Sequence, residues 1–496
     1  MSVKTKLGHC CLCVVIALSF SGVGLSQNFS TFDQVDYVTV QDFSIFQSIW
    51  DKADSENTRI ALIGDSQETS PGGAGAIYIP SLNYQFYKHF GKVGETFVAP
   101  GFESYGGGSP AAEWLLQGSP GSLNGNMLGN LPTNQILPGA RTRIYDSSAY
   151  GQNSFLGTSN LNVNAGALLP ETHLWSNQDN VTATIFGVTS PGSDEFSWRA
   201  SPTNGGRSFF LGNSASGTTS IGLDAPAGSI ISQDIGTLPF DGYANQQLLI
   251  KGSGSYGAEL AGARFTNLST PGGVSIQDFA AGGYLTRSFL DNHSEAGEML
   301  RAFGEWDAIL IHTGANDAFS GNGRSALVFQ QDVADLIAAI RSPEWLDNPE
   351  QKFILVTDPY RHNGSEQKTG QYDQYAGALA GLALDDPFIM AVNSRRLTGE
   401  LGWNEDNPTQ YLSDVVHYTS EGARLLAAVE AELIINGGPV LTLGDCNKDR
   451  VVDFSDIAVF ISILSAGDYL AEADTDQNSV VDFSDIVAFI SILSAS

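Results

Sequence analysis

The sequence predicts an α/β protein: a parallel sheet sandwiched by helices, interrupted by an all-β insertion and followed by a small helical module. Three observations predict it. Short apolar runs (Arg59-Ile60-Ala61-Leu62-Ile63, Asp307–His312, Phe353–Thr357) alternate with amphipathic segments (Tyr78–Phe90, Ala326–Ile340, Ser420–Ile435). That alternation belongs to strands buried on both faces and connected by helices. From about Tyr105 to Thr270, Gly, Ser, Asn and Thr take over, with β-like runs at Thr182–Phe186, Phe196–Trp198 and Gln247–Ile250. Turn signals separate those runs, as in an antiparallel sandwich or barrel. Near the end, Val452-Asp-Phe-Ser-Asp-Ile457 recurs as Val481-Asp-Phe-Ser-Asp-Ile486, 29 positions later. A duplication this literal is one structural unit used twice.

Composition narrows the function classes. With 54 acidic and 24 basic side chains among 496 residues, the formal net charge is −30. That excludes a phosphate-backbone binder and docking on anionic lipid, both of which need a basic footprint. An apolar content of 42% with 10% aromatics excludes a disordered chain. The opening Met-Ser-Val-Lys-Thr-Lys is followed by an apolar run from Cys10 to Leu25 and small residues at Gly24 and Ser26. This reads as a secretory signal peptide over residues 1–26, too short to span a bilayer. Three of the four cysteines fall inside it, leaving Cys446 without an intramolecular disulfide partner. The expectation is a secreted protein, extracellular or periplasmic. Its α/β domain is discontinuous (27–104 and 274–437) around a β domain (105–273), with a C-terminal module over 443–496.

The repeats place oxygen ligands at fixed steps. Asp445, Asn447, Asp449, Asp453 and Asp456 in the first copy match Asp474, Asp476, Asn478, Asp482 and Asp485 in the second. These are loop positions 1, 3, 5, 9 and 12, with the backbone carbonyls of Val451 and Val480 at position 7. Such spacing wraps Ca²⁺ in six to eight oxygens, and an apolar helix follows each loop. The segment resembles a dockerin-type module. Arg450 and Ser479 stand where EF-hand loops carry Gly, and position 12 is Asp, not Glu. The resemblance implies structural calcium and a cohesin-like protein partner.

Four further segments point to nucleophilic catalysis. Gly64-Asp65-Ser66 ends a buried strand, where an α/β sheet binds its ligands. Gly314-Ala-Asn316-Asp317 ends another, and an Asn amide there can donate to a developing oxyanion. Ala280-Ala-Gly282-Gly283 offers unhindered backbone N–H groups; which of the two glycines donates stays open. Asp414-Val-Val-His417 precedes the last long helix, and its three-residue offset lets the carboxylate orient the imidazole toward a serine.

Together these blocks resemble the SGNH hydrolases, also called GDSL esterases and lipases, over about Thr58–Gly101 and Val274–Asn436. Gln67 replaces the Leu usual after the nucleophile, and more than two hundred residues separate the first two blocks, hence the insertion. The resemblance implies Ser66, His417 and Asp414 as a triad, with Gly282 and Asn316 in the oxyanion hole and no cofactor for catalysis. The expected reaction is ester hydrolysis through an acyl-enzyme, most plausibly acetyl removal from polysaccharide. A GDSL-type lipase on longer acyl esters, and a non-catalytic glycan-binding protein on a relic core, are the alternatives. The run Gly252-Ser-Gly254-Ser-Tyr-Gly257 mimics a dinucleotide fingerprint but lacks the acidic residue about twenty positions on. No Gly-x-Ser-x-Gly elbow occurs.

Overall fold

The computed structural model describes residues 29–65, 78–92, 94–98, 114–117, 142–144, 154–158, 180–188, 195–203, 215–220, 230–238, 245–252, 258–269, 271–280 and 284–291. It further describes 297, 300–301, 303–318, 323–359, 372–403, 408–412, 417–439, 446, 452, 454–466, 473, 475 and 480–495. The expected signal peptide and most of Gly252–Gly257 lie outside these residues.

In chain order the strands are β1 (Val38–Thr39), β2 (Thr58–Gly64), β3 (Glu95–Val98), β4 (Trp114–Gln117), β5 (Thr142–Ile144), β6 (Ser154–Thr158), β7 (Val181–Val188) and β8 (Glu195–Thr203). There follow β9 (Ala215–Ser220), β10 (Ile230–Leu238), β11 (Asn245–Gly252), β12 (Ala258–Asn267), β13 (Val274–Asp278), β14 (Ala308–His312), β15 (Phe353–Val356) and β16 (Ile389–Val392). The helices are α1 (Ser44–Ala53), α2 (Tyr78–Phe90), α3 (Thr286–Asp291), α4 (Ala326–Arg341), α5 (Tyr375–Asp385), α6 (Ser394–Glu400), α7 (Pro408–Tyr411), α8 (Ser420–Asn436), α9 (Asp456–Ala466) and α10 (Asp485–Ala495).

One sheet runs β1-β16-β15-β14-β2-β13, all neighbours parallel except β1 with β16. Its strands are short apolar runs because both faces are covered. Alternate residues serve opposite sides: Ile60, Leu62, Leu310, Ile354 and Val356 pack with α1, α2 and α8. Ala61, Ile63, Ile309, Ile311 and Leu355 pack with α4 and α5. Each face thereby has its own core. Caps set the helix limits: the Ser325 hydroxyl accepts from the Val328 N–H at the start of α4, and Gly437, with φ +69°, closes α8.

Strands β3 to β12 build two antiparallel sheets, β10-β7-β12-β3 with β5 paired to β12, and β4-β6-β11-β8-β9. Glu95–Val98 joins the first of these sheets by pairing with β12. Glu95 is also the bridge between the two regions. Its carboxylate meets Arg59 of β2 at 2.5 Å and Arg264 of β12 at 3.7 Å, and accepts from the Thr266 hydroxyl at 3.1 Å. Phe186 of β7 packs on Phe303 of the α/β core at 4.3 Å between ring centroids.

At the C-terminus α9 and α10 share one small core. Phe460 and Phe489, equivalent positions of the two repeats, stack 4.2 Å apart over Cys446, Ala473 and Val481. Two eleven-residue helices are too short to be stable singly, so each repeat supplies the other's apolar face.

Candidate active site

Parallel register brings the sequence blocks to one edge. Gly64 of β2 lies opposite His312 of β14, and Asp278 of β13 lies opposite Leu62 of β2. The Phe279 N–H donates to the Leu62 carbonyl at 2.8 Å, extending that pairing past β13. The carboxyl ends of three adjacent strands therefore lie together, followed by Asp65, by Phe279-Ala280 and by Gly314–Asp317. Ser66, Gly282, Gly283 and Asp414 lie outside the described residues, while Asp65, Ala280, Tyr284 and Leu412 beside them lie within.

Two side chains tie the third block to the glycine block. The Asn316 Nδ2 donates to the Tyr284 carbonyl at 3.0 Å, one residue after Gly283. That hydrogen bond orients the Asn316 amide against the glycine block. Asp317, fully buried, accepts from both the Thr286 N–H and its hydroxyl at 3.0 Å, and Arg324 Nε lies 3.4 Å away. Burial pushes the Asp317 carboxyl above its ordinary range, against the pull of Thr286 and Arg324. Asp317 therefore clamps the start of α3 to the end of β14. The motif alone assigned it no task.

Gly314 makes this turn possible. Its φ is +126°, and a Cβ there would press on Phe329 and Tyr375 at 3.3 Å. Those two rings stack 4.0 Å apart beneath the turn and leave no room for a side chain.

His417 is half-buried, on a short loop whose ends are pinned. Leu412 and Tyr418 form an antiparallel bridge, and the Thr419 N–H donates to the Tyr411 carbonyl at 2.8 Å. Thr419 also caps α8, its hydroxyl accepting from the Gly422 N–H at 3.0 Å. A Cβ on Gly422 would run into the Tyr411 carbonyl, so a glycine there allows α8 to start against the loop. One group escaped the sequence reading. His312 ends β14, two residues before Gly314, and is 1% exposed, with its Nε2 3.3 Å from Asp358 Oδ1. A histidine ending an otherwise apolar buried strand was the available signal.

In the C-terminal module, Asp456 and Asp485 at position 12 of the two loops are fully buried. The Asp485 carboxylate accepts from the Asp482 N–H at 2.9 Å. The Asp482 carboxylate in turn accepts from the Ser484 hydroxyl and N–H, both at 2.7 Å, and these hold it below its ordinary range. Val480 is exposed. The other loop ligands (Asp445, Asn447, Asp449, Val451, Asp453, Asp474, Asp476 and Asn478) lie outside the described residues. Among the described residues no three His, Cys, Asp or Glu group as a metal site. No helix among them is long and apolar enough to cross a membrane.

The chain superposes on a peptidoglycan O-acetylesterase with a TM-score of 0.52 at 16% identity, over 80% of this chain and 99% of that one. The α/β fold is shared. Smaller matches include a lipase/acylhydrolase from Enterococcus faecalis (TM-score 0.23, 21% identity, 33% of this chain and 76% of that one). Another is a carbohydrate acetylesterase from Sinorhizobium meliloti (TM-score 0.24, 15% identity, 32% and 78%). No protein-family model matches the chain, and no curated protein sequence does.

Proposed function

We propose that the chain is a secreted serine esterase that removes acetyl groups from polysaccharide. One observation supports this above others: parallel register sets the ends of β2, β13 and β14 side by side, and the Asn316 amide is tethered to Tyr284 at the glycine block. In this reading Ser66 attacks the ester carbonyl and His417, oriented by Asp414, takes its proton. Backbone N–H groups at Ser66 and Gly282, with the Asn316 amide, receive the oxyanion. The alcohol leaves with the proton from His417, and water then releases acetate from the acyl-enzyme. The fold shared with a peptidoglycan O-acetylesterase favours an acetylated glycan as substrate. The test is labelling of Ser66 by a fluorophosphonate probe, followed by acetate release across acetylated glycans and peptidoglycan. Absence of labelling would favour the non-catalytic glycan-binding alternative.

The C-terminal module we read as a calcium-ordered, dockerin-like docking element. The donor chemistry fits the ion. Fully buried carboxylates at Asp456 and Asp485 lie in a segment, 445–496, holding ten acidic and two basic residues, a charge of −8. A bound Ca²⁺ would supply the compensating positive charge. Phe454 and Phe483, equivalent in the two repeats, are 81% and 79% exposed, which suits contact with a cohesin-like partner.

A further inference from the structure

His312, Asp358, Tyr418, Tyr78 and Glu430 come from five separate stretches of chain and meet beneath the carboxyl edge of the sheet. His312 ends β14 and Asp358 follows β15; both point to the face covered by α2 and α8, since they continue the alternation of Leu310 and Val356. The Tyr418 hydroxyl donates to Asp358 Oδ1 at 3.4 Å, the same oxygen that His312 Nε2 approaches at 3.3 Å. The Tyr418 ring is fully buried, edge-on to Trp403 at 5.7 Å and 6.2 Å from Tyr78. Tyr78 packs on His312 at 5.6 Å, and its hydroxyl donates to Glu430 of α8.

Tyr418 is the residue after His417 and one half of the bridge that closes the His417 loop. Its hydroxyl therefore joins that loop to the ends of two core strands. We propose that His312, Asp358 and Tyr418 are positioning residues for His417. Asp358 Oδ1 accepts from the Tyr418 hydroxyl and lies 3.3 Å from His312 Nε2, so the loop is tied through one carboxylate to the ends of β14 and β15, and that carboxylate fixes the height of the loop. A buried carboxylate held by a hydroxyl and set against an imidazole restricts the loop, whereas apolar packing alone tolerates sliding. Misplacing a catalytic group by 1 Å can cost about 10²-fold in rate. The inference rests on the esterase reading, so its test includes Ser66→Ala.

The test uses the full-length protein with an aryl acetate substrate, and kcat is normalised to serine titrated by fluorophosphonate. Tyr418→Phe keeps the ring against Trp403 and Tyr78 and removes only the hydroxyl. The expected result is kcat lowered roughly 10-fold with KM within about twofold. His312→Leu should do the same, and His312→Gln, which keeps a polar side chain beside Asp358, should recover most of the loss. The double variant Tyr418→Phe with His312→Leu should be no worse than either alone, because both break one chain of contacts. Wild-type kcat in Tyr418→Phe, or equal behaviour of the Leu and Gln variants, would overturn the positioning role while Ser66→Ala remains inactive. Activity persisting in Ser66→Ala would overturn the esterase reading, and this inference with it.

Discussion

The α/β core and the C-terminal repeat both keep carboxylates out of water, in different charge surroundings. In the core every such group described above has partners from the same chain: Asp317 has Thr286 and Arg324, Glu95 has Arg59 and Arg264, and Asp358 has His312 and Tyr418. Among the described residues, the repeat encloses Asp456 and Asp485 around five buried apolar residues, in a segment of charge −8. A domain with two large apolar clusters can spare residues for pairing its charges. On the proposed calcium reading, a module of some fifty residues with a charge of −8 is completed by imported positive charge. The difference teaches which half should depend on an ion.

The comparison is broken most directly at the catalytic edge. Ser66→Ala and His417→Ala should each lower kcat by at least ~10³, and Asn316→Ala by ~10²–10³, in acetate-release assays with or without calcium. Chelation should act on the other half: amide exchange over 456–495 should accelerate while esterase activity stays unchanged. Activity lost in chelator and restored by calcium would erase the contrast. Glu95→Gln tests the core's self-sufficiency, since it leaves Arg59 and Arg264 facing each other without their shared anion. Urea unfolding should show a loss of about 3 kcal/mol, the lower end for breaking a buried pair because Arg59 is partly exposed. The smallest effect is expected from Thr419→Ala, which removes the cap of α8 beside His417. A stability loss of about 1 kcal/mol is expected by the same measurement. A far larger loss would mean that the His417 loop and α8 unfold as one unit.

The strands and helices of the core were legible in the sequence because burial on both faces writes apolar runs, and burial on one face writes a helical period. Gly64-Asp65-Ser66, Gly314–Asp317 and Asp414–His417 could be proposed from sequence for a related reason. Chemistry at strand ends needs particular residue types at short local spacing. The duplicated loops, read as ligand steps of a single hard cation, belong to the same local class.

Long-range pairing was not legible. Glu95–Val98 is a plausible strand anywhere, and only pairing with residues about 170 positions later assigns it to the antiparallel sheet. The role of Asp317 as a clamp on Thr286, and the union of His312, Asp358 and Tyr418, likewise join residues that share no local pattern. The sequence by itself determined which segments are strands, which helices, and which residues can do chemistry, because those properties follow from local periodicity and side-chain type. Only the tertiary structure decided strand order and which buried polar groups meet, because each such contact depends on where distant chain ends are carried by packing.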